Sequence, residues 1–87
     1  METIAQLMIY KNRQVVLNKY EDGLLLERDG FLFEELEISD EEIIFYKEEI
    51  AIKTISLIEY PLFIRLAEFS HYYAVTNHRI QLQLYFP

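Results

Sequence analysis

Between residues 68 and 86, EFSHYYAVTNHRIQLQLYF, apolar and polar side chains alternate on both sides of an Asn-His pair. Alternation with period two is the signature of a half-buried strand, and Asn accepts the left-handed backbone that tight turns require. With Asn77 and His78 at the centre of a two-residue turn, Thr76 faces Arg79, Val75 faces Ile80, Tyr73 faces Leu82 and His71 faces Leu84. One face then carries His71, Tyr73, Val75, Ile80, Leu82 and Leu84. The other carries Tyr72, Ala74, Thr76, Arg79, Gln81, Gln83 and Tyr85. Apolar and polar groups separate cleanly in this register.

Similar short runs fill the rest of the chain. TIAQLMIY reads as a first strand with KNRQ as its turn, and VVLNKY as a second, closed into a hairpin by EDG, where Gly23 supplies a positive φ. LLLE and FLFEELEI flank another Asp-Gly, at 29 and 30, which reads as a further turn. SDEE leads into IIFY, KEE into IAIKTISLIEY, and Pro61 interrupts before LFIRLA. Turns spaced in this way predict a mainly β fold: a single antiparallel β domain, a bent sheet or small open barrel of about six or seven strands. The alternative is a short helix around 40–59, because Ser39 and Glu42 match a capping box. Either helical stripe through that segment mixes Lys47 with isoleucines, so strands are the preferred reading.

Composition agrees with strands. Eleven isoleucines, seven tyrosines and six phenylalanines suit a pleated, half-buried surface. Eighty-seven residues make one domain, and 52% hydrophobic content makes it globular despite a net charge of −7. The absence of cysteine excludes disulfides and thiolate metal sites and points to a reducing compartment. The opening METIAQLMIYKNRQ lacks a basic stretch followed by a long apolar one, and no apolar run is long enough to span a bilayer, so the expected location is cytoplasmic with no membrane partner.

Charge is unevenly distributed. Residues 27–49 hold ten of the fifteen acidic residues: Glu27, Asp29, Glu34, Glu35, Glu37, Asp40, Glu41, Glu42, Glu48 and Glu49. Phosphates repel such a chain, so no direct nucleic-acid binding is expected. The block lacks the ligand spacing and glycine of an EF-hand loop, so no metal is assigned to it. The predicted hairpin sets His78 at its tip and His71 far down the ladder, too distant to share a metal or a proton. His71 then reads as a buried or rim side chain and His78 as a turn residue. No nucleophile elbow, phosphate-binding glycine loop or His-Glu-x-x-His is present, which predicts a non-enzymatic protein without cofactors.

The run LEISDEEIIFYKEEIAIKTISLIEYPLFIRL resembles, in pattern only, the middle strands of small bacterial pleckstrin-homology-like or GRAM-like domains. There a strand-turn-strand unit precedes spaced isoleucines, here Ile50, Ile52, Ile55 and Ile58. The resemblance implies strands over this run. No lipid-headgroup cluster of Lys and Arg accompanies it.

Two surfaces are therefore candidate binding sites. One is the acidic block Glu34, Glu35, Glu37, Asp40, Glu41, Glu42, Glu48 and Glu49; the other is the hairpin face of Tyr72, Arg79, Gln81, Gln83 and Tyr85. Amphipathic rings with amide and guanidinium donors are chemistry enriched at interfaces. The expected function is a small protein-interaction or self-assembling module whose partner is a protein, in particular a basic one. The alternative is an acidic nucleic-acid mimic or inhibitor of phage or plasmid type. The strand running to Phe86 reads as an edge, which allows a homodimer by strand addition.

Overall fold

The computed structural model describes residues 3–87. A 3-10 helix (Ile4–Ile9) precedes strands β1 (Arg13–Glu21), β2 (Leu24–Phe33), β3 (Glu35–Ile38), β4 (Glu42–Lys47), β5 (Ile50–Ser56), β6 (Leu62–Arg65), β7 (Tyr72–Thr76) and β8 (Ile80–Tyr85). A five-stranded sheet runs β2-β1-β8-β7-β6 and a three-stranded sheet runs β3-β4-β5. Every pairing is antiparallel. The mainly β antiparallel class is thus the observed one, with eight strands instead of six or seven. The helix alternative over 40–59 gives way to the β4–β5 hairpin, in which Ile43, Phe45 and Ile55 alternate into the core.

One bent residue links the sheets. Glu34 lies between β2 and β3; its carbonyl accepts from Asn12 N–H at 3.0 Å, and its N–H donates to the Tyr46 carbonyl at 2.8 Å. Its backbone therefore belongs to both ladders. The two sheets turn toward each other and enclose one core: Leu7, Tyr10, Val15, Leu17, Phe33, Leu36, Ile43, Phe45, Ile55, Tyr60, Tyr73, Val75, Leu82, Leu84 and Phe86. Phe33 meets Phe45 edge-on at 5.1 Å, and Phe86 stacks on Tyr10 at 4.1 Å. The Tyr10 and Tyr73 hydroxyls, buried beside them, bond each other at 2.7 Å.

Three local expectations fail for identifiable reasons. The first strand is instead the 3-10 helix: Ile4, Leu7 and Tyr10 recur every third residue, the eclipsed spacing of that helix, and Leu7 and Tyr10 enter the core. Asp29-Gly30 is not a turn. β2 runs straight through it, with Leu17 opposite Asp29 and Val16 opposite Gly30. A glycine signals a turn only where positive φ is needed, and here the long ladder to β1 outweighs local propensity. The β7–β8 connection is longer than two residues. Asn77 acts through its side chain, its Oδ1 accepting from Arg79 N–H and Ile80 N–H, both at 2.8 Å. This Asx turn moves the register by two residues, so Thr76 faces Gln81 and Val75 faces Leu82. A two-residue shift preserves both faces.

Asp22 and Gly23 both take positive φ (50° and 83°), as a type I′ turn requires. Glu48 and Glu49 occupy the same conformation at 54° and 66°. Left-handed backbone costs a non-glycine residue about 1–2 kcal/mol; the Glu34 carboxylate offsets part of that by accepting from Glu48 N–H at 2.8 Å. Replacing Glu49 by Gly should therefore stabilise the protein by about 1 kcal/mol, read as a rise of roughly 4–8 °C in Tm. An unchanged or lower Tm would show that the turn carries no strain.

A second prediction concerns the buried tyrosine pair. Tyr10→Phe or Tyr73→Phe leaves one hydroxyl unpaired and should cost about 1–3 kcal/mol, while the double variant should lie closer to the wild type. Burial first, then the Tyr73 hydrogen bond, holds the Tyr10 hydroxyl far above its usual range. The unfolded chain ionises near about pH 10, so the pair's contribution is intact below that pH and is lost as pH rises further. Urea titrations at neutral and alkaline pH should show a shallower alkaline loss in the double variant than in the wild type.

Candidate functional site on the outer sheet face

Inward pointing of Val15, Leu17, Tyr73, Val75, Leu82 and Leu84 forces their neighbours outward. The antiparallel registers then align the outward groups into rungs across the five-stranded sheet. One rung reads Arg28, Asn18, Gln83, Ala74, Ile64 from β2 to β6. A second reads Gly30, Val16, Tyr85, Tyr72, and a third Tyr20, Gln81, Thr76, Leu62. None of these positions carries a carboxylate, in a chain of net charge −7. Phe69, on the loop between β6 and β7, lies over this face with its ring 5.6 Å from Tyr72 and 6.0 Å from Tyr85. Those two rings meet edge-on at 5.8 Å. Together with Asn18, Tyr20, Arg28 and Gln83, the three rings line an open cleft of about 250 Å³.

The polar groups of the face are bonded among themselves. Tyr72 O–H donates to Gln83 Oε1, Gln83 Nε2 donates to Gln81 Oε1 at 2.8 Å, and Arg28 Nε donates to Asn18 Oδ1 at 2.7 Å. Desolvation, followed by the neighbouring Tyr20 and Glu68, raises the Tyr72 pKa, so the hydroxyl keeps its proton, donated to Gln83, well into the alkaline range. The cleft lining thus carries one guanidinium, Arg28, and no carboxylate, with Glu68 close enough to act on Tyr72.

Four of the five hairpin residues expected on this face are there: Tyr72, Gln81, Gln83 and Tyr85. Arg79 is not. It sits in the β7–β8 connection, with Nη2 2.9 Å from Glu21 and 3.8 Å from Asp22, and so braces the tip of the β1–β2 hairpin. Arg28 supplies the guanidinium instead. Asn18, Tyr20 and Arg28 were missed because the false Asp29-Gly30 turn cut the second strand of that hairpin short after Glu27 and hid the pairing of Asn18 with Arg28; Phe69 was missed because it lies on the β6–β7 loop. The period-two pattern of NKY beside LER was the available signal.

The acidic block is divided. Glu34, Glu35, Glu37 and Glu49 gather with Asn12 and Tyr46 around a shallow depression at one end of β4. Asp40 and Glu41 belong to the β3–β4 turn at its other end, where Ser39 Oγ accepts from Glu41 N–H and Glu42 N–H, each at 3.2 Å. Glu42 begins β4 and Glu48 lies in the β4–β5 turn. A further set of charges points into the gap between the sheets: Lys19, Glu27, Asp29, Lys53 and Glu59 rim a 270 Å³ crevice floored by Leu17, Ile55 and Leu82. Lys53 and Asp29 approach to 3.9 Å there.

β8 is not an edge; it lies between β1 and β7, and the edges are β2, β6, β3 and β5. Strand addition at the segment ending in Phe86 is therefore blocked. His71 is a rim side chain, its ring edge-on to the buried Tyr10 at 5.5 Å. It is exposed, takes a left-handed φ of 59° just before β7, and accepts from Phe86 N–H through its backbone carbonyl at 3.0 Å. His78 lies exposed in the connection beyond the other end of β7. Among the described residues, no group of three His, Asp or Glu side chains is placed to hold a metal ion, and no helix is long and apolar enough to cross a membrane.

Comparison of the chain with protein-family models, with curated proteins and with solved structures finds no match. The pattern-level likeness to pleckstrin-homology-like strands accordingly contributes no functional residue.

Arg79→Ala tests the reassignment of that residue. Exposed ion pairs contribute about 0–1 kcal/mol, so stability should fall by less than about 1 kcal/mol and cross-peaks of the cleft residues should stay in place in an amide correlation spectrum. Shifts centred on Gln83 and Tyr85 would return Arg79 to the face.

Proposed function

We propose that the protein is a non-enzymatic interaction module that docks a protein partner on the outer face of its five-stranded sheet. The separated carboxylates act as solubilising and steering charges. One observation carries this reading: the outward rungs of β2, β1, β8, β7 and β6 hold rings, amides and apolar groups without a carboxylate, while acids concentrate elsewhere. Leu62 and Phe69 are 60% and 62% exposed at its margin, so large apolar groups remain in water on that side. Exposed apolar groups framed by polar ones mark interaction surfaces. The acidic block is divided, with Glu34, Glu35, Glu37 and Glu49 around one depression and Asp40 and Glu41 at the other end of β4, so the nucleic-acid-mimic alternative would have to rest on the first four alone.

The test is comparative capture from the native host. Phe69→Glu with Leu62→Glu, at exposed positions, should abolish partner binding without unfolding the protein. Glu35→Gln with Glu37→Gln should leave it intact, and added salt should weaken it little, since screening acts on charges and not on apolar contact. Loss of the partner on neutralising the acids, together with steep dissociation in salt, would overturn the reading.

A further inference from the structure

We infer that the cleft of Asn18, Arg28, Phe69, Tyr72, Gln83 and Tyr85 receives a proline-rich segment in the polyproline II conformation. This inference rests on the docking role proposed above and names the partner's chemistry. Its basis is the hydrogen-bond polarity of the face. The carbonyl oxygens of Asn18, Gln81 and Gln83 each already accept a bond from within the face. Asn18 Nδ2, Gln81 Nε2 and the Arg28 Nη groups have no hydrogen-bond partner among the described residues. The surface therefore offers unpaired N–H donors beside aromatic rings, and each of these amide oxygens has one of its two lone pairs already in use.

A ligand rich in acceptors and apolar between them complements these unpaired donors and rings. A polyproline II chain meets both conditions: its carbonyls make no internal bonds, and pyrrolidine rings pack into aromatic-lined grooves, with no backbone N–H to compete for the donors' side of the contact. At about 3.1 Å per residue, roughly five residues cover the ~14 Å from β2 to β7 across three strand spacings. The net charge of −7 favours lysine or arginine flanking the prolines. A second copy of this face fits less well, since it would set donors against donors and Arg28 near its own counterpart.

The experiment is an amide and aromatic-ring NMR titration of the intact protein. The probe is an oligoproline peptide of about ten residues with a lysine at each end, sized by the polyproline rise. A Gly-Ser peptide of the same length and charge is the control. Saturable shifts confined to the cleft residues are expected with oligoproline and absent with the control. Gln81→Glu, which adds an acceptor, and Phe69→Ala should each weaken binding at least several-fold, whereas Glu37→Gln should change it little. No saturable shift at millimolar peptide, equal shifts from both peptides, or shifts mapping to Glu35 and Glu37 would overturn the inference. So would cleft shifts that depend on protein concentration alone, which would identify a second copy as the occupant. If oligoproline fails while Phe69→Glu with Leu62→Glu still removes a captured partner, the docking role stands and only the partner's chemistry is wrong.

Discussion

The fold depends on a single backbone junction. Glu34 spends its carbonyl on the ladder to β1 and its N–H on the ladder to β4, so one chain segment belongs to two sheets in succession. A buried backbone group without a partner is costly, and this arrangement satisfies both groups while the chain changes direction. The bend brings Phe45 and Ile43 from the small sheet against Phe33, Leu84 and Phe86 from the large one. Without it β3–β4–β5 would have no apolar face to cover. The carboxylate of the same residue also holds the strained Glu48 turn at the far end of the hairpin.

Closing the core on one side of the large sheet settles the character of the other. Once Leu17, Leu82, Leu84 and Tyr73 point inward, Asn18, Gln81, Gln83, Tyr85 and Tyr72 must point outward. Neighbouring strands then align them into rungs, with hydrogen bonds across a rung (Arg28 to Asn18) and along β8 between rungs (Gln83 to Gln81). The order of that network fixes which N–H groups stay unpaired within the face. In the proposed docking role charge acts at longer range: the acids on the small sheet and its turns would set the field through which a partner approaches the face that lacks them.

Part of the site was legible in the sequence. Tyr72, Gln81, Gln83 and Tyr85 were assignable because the period of a strand is two, and the error of two residues in the β7–β8 register left every side chain on its face. Arg79 was misassigned by that same error, since a longer Asx-stabilised connection carries it off the ladder to Glu21. Asn18 and Arg28 were not legible while Asp29-Gly30 read as a turn. Their adjacency exists only because β2 continues through Gly30 in register with β1. Phe69 lies in a loop, and no periodicity says where a loop ring will lie.

Local pattern determined what local physics controls. Alternation and β-branched content pointed to antiparallel strands, Asp22-Gly23 to its turn, and ten of the fifteen carboxylates lie within residues 27–49. The tertiary structure decided what depends on competition between distant partners. It turned Ile4–Ile9 into a 3-10 helix because Leu7 and Tyr10 could reach the core, placed β8 at the centre of a sheet instead of its edge, and split the acidic block between two ends of β4. Strand order and the fate of exposed edges follow from which long-range ladders bury the most apolar surface, and a chain read residue by residue does not contain that comparison.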